Sequence, residues 1–296
     1  MAINTRIITH EFVYLVPKTI EETVQLLNQY GSDAKIIAGG TDLLLQIKQE
    51  KISPGYLINV MKIPELSQIK EDDRLRIGAA TKLGDVRKYC SKRKAYTALY
   101  EAVSRLGKVQ VWNMGTIGGN LCNASPAADT APPLLVLNGR VKLLGKDGEK
   151  TLSLEDFFKG VNITAMAPDE IMVEIHLDPI PDQMGSAFMK IARVGADISK
   201  ISCAVAVERD GKRCALCRIA LGAVAPVPMR AKGAESILQG SKIDASLIHR
   251  AGQKLAEEVK PIDDVRSTAE YRRAVAAVLF KDVFWKAWSR ASGEEK

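Results

Sequence analysis

The stretch GTIGGNLCNASPAADTAPPLL, residues 115–135, places three glycines, two asparagines and an aspartate ahead of an apolar run. A second glycine pair stands in AGGTD, residues 38–42, and both pairs are flanked by Thr and by Asn or Asp. Glycine lets successive amide groups converge, because no Cβ blocks unusual dihedral angles or the approach of a ligand. Converging amides bind anions, and the N-terminus of a helix adds its dipole. One such pair is typical of a tight turn, whereas two together favour a phosphate-binding site.

The composition is that of a soluble globular protein with two or three domains. The chain has 296 residues, of which 46% are hydrophobic and 26% charged. It contains no apolar run of the roughly 18 residues that a membrane span needs. The N-terminus lacks the apolar core of a signal peptide, so a cytoplasmic location is expected. The net charge is +7, the basic residues are scattered along the sequence, and aromatic residues make up only 5%. This pattern does not predict a nucleic-acid groove.

The five cysteines include one CxxC pair, Cys214 and Cys217. A zinc or iron–sulfur site normally needs a second pair, which the sequence does not contain. The segment KRCALCRIALGAV is typical of a strand, in which positions i and i+3 point to opposite faces. Packing is therefore favoured over metal or redox use of this pair.

The first sixty or so residues form a unit rich in alternating strands and helices. EFVYLVPKTIEETVQLLNQYG predicts a short strand and then a helix, with Thr19 and Glu22 as a capping box and Gly31 as the stop. AKIIAGGTDLLLQIK predicts a strand, a double-glycine turn and a short helix, and GYLINV predicts another strand.

From Met61 the pattern changes. YTALYEAVSRLG has helical spacing, RVKLLGKDGEKTLSLEDFF predicts a hairpin with a KDG turn, and EIMVEIHLDPIP predicts a strand. Residues 179–185 are a plausible linker. Beyond it, strands with an RDGK turn precede two helices, which Asp244 and the pair Ser267 and Glu270 are predicted to cap.

Other familiar sites are absent from the sequence. It has no GxGxxG after a strand, no P-loop, no HExxH and no GxSxG. The three histidines, His10, His176 and His249, lie far apart in the sequence. The residues therefore predict a pyrophosphate binder without acid–base machinery.

Four segments in order resemble the FAD-binding subunit of the molybdenum hydroxylases: KIIAGGTDLLLQIK, TIGGNLCNASPAADTAPPLLVL, DEIMVEI and FMKIARVGADISKIS. That family includes xanthine, carbon monoxide and nicotinate dehydrogenases and 4-hydroxybenzoyl-CoA reductase. The resemblance implies an α+β protein with the vanillyl-alcohol-oxidase-like (PCMH-type) FAD-binding fold. Two α+β subdomains, residues 1–60 and 61–178, would precede a C-terminal domain, residues 185–290, with a three-stranded antiparallel sheet and helices.

The resemblance also implies partners and an electron path. A large subunit would carry molybdopterin and a small subunit two [2Fe-2S] clusters. Electrons would pass from molybdenum through the clusters to FAD in this chain, and then to an external acceptor such as NAD. No catalytic residue and no metal ligand are predicted in this chain. The 4-hydroxybenzoyl-CoA reductase branch is disfavoured, because its inserted cysteine-rich loop is missing.

Carried over onto this sequence, the phosphate side of the FAD site has two parts. The first would wrap the pyrophosphate and comprises Lys35, Ile36, Ile37, Ala38, Gly39, Gly40, Thr41, Asp42 and Leu43. The second would form the TIGGN loop and its support, and comprises Thr116, Gly119, Asn120, Asn123 and Ser125. The backbone at this second loop is expected to be bare so that phosphates can lie against its amides.

Fewer residues are assigned to the part of the FAD site near the flavin ring. Asp129 would hold hydroxyl groups of FAD, and residues near the flavin would be Leu106, Ile171, Met172 and Lys190. Phe188 stands where carbon monoxide dehydrogenases carry Tyr, which implies either a lost hydrogen bond or ordinary packing.

Two other functions stay open at this point. An independent flavin oxidase of the same fold would need its own general base, and a non-redox nucleotide-binding protein would lack a flavin spectrum.

Overall fold

A computed structural model describes residues 8–292 of the chain. The first part is a three-stranded parallel sheet in the order β1–β3–β2, with helices after β1 and β2. Thr19 begins the first helix, since its hydroxyl accepts the N–H of Glu22 at 3.1 Å. Glu22 in turn accepts the N–H of Lys18, whereas the predicted capping box uses the N–H of Thr19. Gly31 ends the helix at φ +54°. The bounds are β1 Val13–Leu15, α1 Ile20–Tyr30, β2 Ala34–Ile37, α2 Leu43–Lys48 and β3 Tyr56–Asn59.

The second part is an antiparallel sheet of five strands in the order β4–β5–β10–β6–β7, with a small two-stranded sheet β8–β9 beside it. The predicted KDG hairpin is confirmed, and Gly148 provides the turn at φ +104°. The strands are β4 Ile69–Glu71, β5 Leu75–Gly78, β6 Arg140–Gly145, β7 Gly148–Ser153, β8 Phe158–Gly160, β9 Ile163–Thr164 and β10 Ile171–Leu177. The helices are α3 Leu83–Cys90, α4 Thr97–Arg105, α5 Val109–Met114, α6 Ile117–Cys122, α7 Ala131–Val136 and α8 Leu154–Phe157.

The C-terminal part contains three long antiparallel strands, as predicted, and a two-residue strand is added at the edge, giving the order β11–β12–β13–β14. The first strand begins at Met184, so the end of the predicted linker belongs to the sheet. Asp244 caps α10, and its carboxylate accepts the N–H of Leu247 at 2.8 Å. The elements are β11 Met184–Ile191, β12 Ile201–Asp210, β13 Arg213–Gly222, β14 Met229–Arg230, α9 Lys232–Leu238, α10 Ala245–Glu258 and α11 Ala269–Ser292.

The C-terminal sheet is buried on both faces. One face packs on α9, α10 and α11. On the other face, Phe188, Ala204, Ala206 and Ala220 share a core with apolar residues of the second part, on the side where α4 and α7 lie. Because both faces are covered, β12 is a nearly continuous buried run and not an alternating one.

Glu101 of α4 strengthens this packing. Its carboxylate accepts the N–H of Phe188, the Lys286 ammonium and the Arg290 guanidinium, each at 2.8 Å. Burial alone would raise the pKa of Glu101, but hydrogen bonds from Arg290 and Lys286 hold it below its ordinary value. The second and third parts are therefore joined by charge as well as by apolar contact.

Two local predictions were wrong. Cys214 and Cys217 do not point to opposite faces: a register shift opposite Glu208 and Arg209 changes the alternation, and both thiols enter the C-terminal core. The last helix is capped by Thr268, whose hydroxyl accepts the N–H of Tyr271 at 3.2 Å, and not by Ser267.

Within residues 8–292, each helix is too short or too polar to cross a membrane.

Candidate functional site

A large cleft, of about 740 Å³, lies where the two glycine-rich segments meet. Most of its lining comes from four stretches of chain: residues 34–43, residues 115–129, residues 162–172 and residues 196–198. Residues within 79–83 and 106–111 also line it. The stretch of residues 196–198 belongs to the connection between β11 and β12. The C-terminal part therefore contributes residues 196–198 to the cleft.

The AGGTD turn supplies free main-chain donors to the cleft. The N–H groups of residues 39–42 find no acceptor within the described residues 8–292. Gly40 has φ +71°, a conformation that favours glycine and turns successive amides to one side. Gly39 lies so close to α5 that a Cβ would collide with the carbonyl oxygen of Met114. Consecutive free amides of this kind form an anion-binding concavity.

The amides of the TIGGN segment are already used, which corrects the expectation of a bare backbone there. Ile117 donates to the carbonyl of Thr81 at 3.1 Å, and Gly118 donates to that of Ala79 at 2.9 Å. Gly119 donates to the Thr116 hydroxyl, also at 3.1 Å. The short helix α6 therefore has no free first-turn amide to offer a phosphate.

The two glycines of TIGGN have different roles. A Cβ at Gly118 would meet the Ala79 backbone, so this glycine permits α6 to pack against the end of β5. A Cβ at Gly119 would meet only the Thr116 hydroxyl oxygen, at 2.8 Å, and otherwise open space. Gly119 thus leaves room on the cleft side.

Polar side chains fix the rest of this segment. The Thr130 hydroxyl donates to Asn120 Oδ1 at 2.6 Å, and the Gln46 amide donates to Asn123 Oδ1 at 3.4 Å. Ser125 accepts the N–H of Ala127 at 3.3 Å. The first bond ties α6 to the start of α7, and the second ties α2 to the end of α6.

Asp129 is bound by residues of the C-terminal part. Its carboxylate oxygens accept the Lys190 ammonium and the Ser199 hydroxyl, both at 2.6 Å. Lys190 also donates to the carbonyl of Asp197 at 3.0 Å. The Lys190 and Asp129 side chains are only 2% and 6% exposed. Asp129 therefore holds the stretch of residues 196–198 against the cleft, and Lys190 is not itself part of the lining.

Leu106 is held at the cleft by Trp112. The indole N–H of Trp112 donates to the carbonyl of Leu106 at 2.6 Å, and Gly107 reverses the chain at φ +58°. The Arg87 guanidinium lies over the rings of Trp112 and Tyr100, 4.8 and 5.5 Å from their centroids. Leu106, Gly107 and Val111 all line the cleft. The sequence indicated Leu106 but gave no signal for the tryptophan that orients it.

Most residues that the sequence assigned to the site do line the cleft. Two of the assigned residues do not: Ile37 faces inward against Ile47 and Leu57, and Lys190 is buried behind Asp129. Phe188 is 1% exposed and lies in the shared core, so the packing interpretation fits the structure. The remaining assigned residues form the lining: Lys35, Ile36, Ala38, Gly39, Gly40, Thr41, Asp42, Leu43, Leu106, Thr116, Gly119, Asn120, Asn123, Ser125, Asp129, Ile171 and Met172.

Other cleft residues were not predicted. Asn162, at φ +57°, donates through its side chain to the carbonyl of Asn123 at 2.7 Å. Met166 contacts Cys122, with 3.6 Å between the two sulfur atoms. An asparagine in the turn GVNIT was the only available hint, because asparagine tolerates positive φ.

The titratable groups of the lining are a lysine, a thiol and several carboxylates, among them Asp42 and Asp129. Burial raises the pKa of the Cys122 thiol to about 12. Burial also raises the pKa of Asp129, and Lys190 opposes that shift. The Asp42 side chain is open to solvent on one side, and the surrounding protein atoms still raise its pKa. The lining formed by the described residues contains no histidine or tyrosine.

Comparisons with known proteins give one answer for the whole chain. Residues 10–180 match the family model described as FAD binding domain in molybdopterin dehydrogenase. Residues 186–287 match the model described as CO dehydrogenase flavoprotein C-terminal domain.

Individual relatives match along their full length. The carbon monoxide dehydrogenase medium chain of Hydrogenophaga pseudoflava is 33% identical, over 95% of this chain and 98% of the relative. The xanthine dehydrogenase FAD-binding subunit of Escherichia coli O157:H7 is 30% identical, over 93% and 96%. A solved structure of the Hydrogenophaga pseudoflava enzyme, in a form that lacks the Mo-pyranopterin moiety of its molybdenum cofactor, matches with a TM-score of 0.93. That match has 33% identity and covers 96% of this chain and 99% of the other.

Proposed function

The chain belongs to the family of FAD-binding subunits of the molybdenum hydroxylases, and from this we propose that its cleft holds FAD for electron transfer. Electrons enter from the [2Fe-2S] clusters of a small partner subunit and leave to an external acceptor such as NAD. A large partner subunit carries molybdopterin and performs the chemistry on the substrate.

The observation that carries this proposal is the run of free amides at residues 39–42. A pyrophosphate offers several anionic oxygens, and each charge-assisted hydrogen bond contributes about 1.5–3 kcal/mol. The cleft volume of about 740 Å³ is within the range of small-molecule sites. The residues present therefore fit a dinucleotide cofactor. Bound FAD supplies the redox chemistry, and the protein supplies binding and orientation.

Different residues of the cleft bind different parts of FAD in this proposal. Residues 39–42 hold the pyrophosphate, while Gly119 and Asn120 face it from the other glycine-rich segment. Leu106, Ile171 and Met172 provide an apolar surface for the flavin ring system. Lys190 acts through Asp129, by keeping residues 196–198 at the cleft. The matches over nearly the full length of subunits of molybdenum hydroxylases support electron transfer over an independent oxidase.

We also propose that the chain is organised as FAD-binding subdomains at residues 1–60 and 61–178 and a C-terminal domain at residues 185–290. The separate sheets support this division.

The test replaces a turn glycine and compares it with a matched glycine elsewhere. Gly40→Val places a branched side chain at φ +71°, which disfavours the turn conformation that aligns the amides. Gly240→Val is the control, because Gly240 has φ +76° and does not line the cleft. Both variants bear similar backbone strain, of about 1–3 kcal/mol.

We expect only Gly40→Val to lose FAD. Loss of two amide bonds weakens binding at least about a hundredfold, at 1.4 kcal/mol per decade. The measurement is flavin absorbance per protein after purification, with circular dichroism as the folding control and mass spectrometry of the released cofactor. Stoichiometric FAD in well-folded Gly40→Val would refute the assignment of residues 39–42 to the pyrophosphate. Release of FMN from the wild type would refute FAD as the cofactor.

A further inference from the structure

The excess of Lys and Arg over Asp and Glu is concentrated in one segment of the chain. This differs from the scattered distribution expected above. Residues 82–108 contain eight Lys or Arg against two Asp or Glu. The rest of the chain has 34 Lys or Arg against 33 Asp or Glu. Nearly all of the net charge of +7 therefore belongs to α3, α4 and the turns that flank them.

Six of these eight cations are exposed, and we call them the basic face: Lys82, Lys88, Lys92, Lys94, Arg105 and Lys108. The salt bridges formed among residues 8–292 include none of the six. The other two cations are engaged, Arg87 with aromatic rings and Arg93 with Glu71. Of the two acids, Glu101 is occupied by Lys286 and Arg290, which leaves only Asp85 exposed. Six exposed cations thus stand beside one exposed acid, so the face keeps a strong positive charge.

The basic face begins at the cleft. Lys82 precedes Leu83 and Lys108 follows Gly107, and both of those neighbours line the cleft. Arg87 joins α3 to α4 and α5 through Ser104 and Trp112, so these helices form one layer. At 1.5 Å per residue, the eight residues of α3 span about 12 Å, and Lys88 and Lys92 lie near or beyond the end of α3 that is opposite Leu83.

We propose that the basic face docks a soluble acidic protein that exchanges electrons with the flavin. This inference rests on the proposed electron transfer through FAD, takes the external acceptor to be a protein and not NAD, and adds the place where that protein binds. Reduced FAD gives up two electrons, one to each of two successive one-electron acceptor proteins, and releases two protons to solvent. A carboxylate-rich acceptor that lands beside the cleft brings its redox centre close to the flavin.

The composition of the face identifies the kind of complex. Lysine is depleted in permanent interfaces, which are more apolar, whereas redox encounters are small, brief and steered by charge. Nucleic acid is the weaker candidate, because base stacking needs exposed aromatic rings. Along α3, α4 and α5, the rings of Tyr89, Tyr100 and Trp112 are half-buried.

The experiment compares two charge-reversal variants of the full-length chain. The test variant is Lys88→Glu/Lys92→Glu/Lys94→Glu, all on the basic face and away from the cleft lining. The control is Lys146→Glu/Lys242→Glu/Lys281→Glu, which changes the net charge equally at exposed sites elsewhere. The probes are an acidic plastocyanin and a basic cytochrome c, both one-electron acceptors. The readouts are the dissociation constant by surface plasmon resonance at 20 and 200 mM NaCl, and the rate at which each probe oxidises the reduced FAD-loaded chain.

We expect the wild type to bind plastocyanin more tightly than cytochrome c, with an affinity that falls as salt rises. The test variant should raise the dissociation constant for plastocyanin at least about tenfold at 20 mM NaCl and slow electron transfer to a similar degree. The control variant should change the dissociation constant and the rate of electron transfer by less than about threefold each. FAD content should be equal in all three proteins.

Equal effects of the two variants would overturn the proposal, because net charge alone would then explain the binding. Tighter binding of a DNA oligonucleotide than of plastocyanin at 150 mM NaCl, lost in the test variant, would overturn it in favour of nucleic acid. The binding measurement needs no cofactor, so a wild type without FAD would contradict the proposed function separately.

Discussion

The ion pair between Asp129 and Lys190 predicts strong coupling between two distant parts of the chain. Its atoms are 2.6 Å apart, and the side chains are 6% and 2% exposed. Lys190→Met leaves the Asp129 carboxylate buried with only the Ser199 hydroxyl as a partner. Breaking one side of a buried pair costs about 3–5 kcal/mol, because the remaining charge is uncompensated. That is a large share of a typical free energy of unfolding, which is about 5–15 kcal/mol.

The double variant Asp129→Asn/Lys190→Met should be more stable than Lys190→Met alone. The double replacement removes both charges, so we expect a coupling free energy of at least about 2 kcal/mol in a double-mutant cycle. The assay is urea unfolding of the full-length chain, followed by circular dichroism and by flavin release. The exposed pair Lys254 and Glu257 is the control, where Lys254→Met/Glu257→Gln should couple by about 0.5 kcal/mol or less.

The pH dependence of the stability of Lys190→Met is an independent test of the same ion pair. Burial raises the pKa of Asp129, and loss of Lys190 removes the main opposing effect. In Lys190→Met the folded chain therefore binds a proton at a higher pH than the unfolded chain does. Stability then rises as the pH falls from 7 towards 5, and the double variant lacks this rise. The reasoning would be refuted if the two single replacements lowered the free energy of unfolding additively. It would also be refuted if the stability of Lys190→Met did not change between pH 7 and pH 5.

Three further outcomes follow from the cleft. Trp112→Phe removes the donor to the Leu106 carbonyl but keeps a ring, so the affinity for FAD should fall about fivefold, for about 1 kcal/mol, in a fluorescence titration; an unchanged affinity would mean that this bond does not orient Leu106. Cys122, with its pKa raised to about 12, should be alkylated by iodoacetamide at pH 8 at least about tenfold more slowly than an ordinary free thiol, as measured by peptide mass spectrometry. Asp42→Asn should tighten FAD binding a few-fold by calorimetry, because the Asp42 carboxylate lies in the turn proposed to hold the pyrophosphate and like charges repel; weaker binding would indicate that the Asp42 carboxylate accepts a bond from the cofactor.

Local features of the fold were predictable from the sequence because short-range contacts determine them. The caps at Thr19 and Asp244 and the turn at Gly148 depend on residues within a few positions. The AGGTD turn belongs to the same class, since its free amides result from a positive φ at Gly40.

Features that depend on distant partners were not predictable. The amides of Ile117 and Gly118 are satisfied by carbonyls at the end of β5, which no pattern within TIGGN reveals. The register shift that turns Cys214 to the same face as Cys217 depends on β12 opposite. Asp129 likewise meets Lys190 only after the C-terminal sheet has docked.

The small side chains on the inner face of the C-terminal sheet set a condition for exchanging modules between relatives. Ala204, Ala206 and Ala220 face the helices of the second part and share their core, and they leave little volume between sheet and helix. A chimera that takes its C-terminal part from another subunit must carry residues of matching size at these positions, together with counterparts of Lys190 and Ser199. Otherwise the graft would overpack that layer and would also leave the Asp129 carboxylate without its partners. Recombination libraries of such subunits should therefore retain flavin chiefly where the crossover keeps both sides of this layer from one parent.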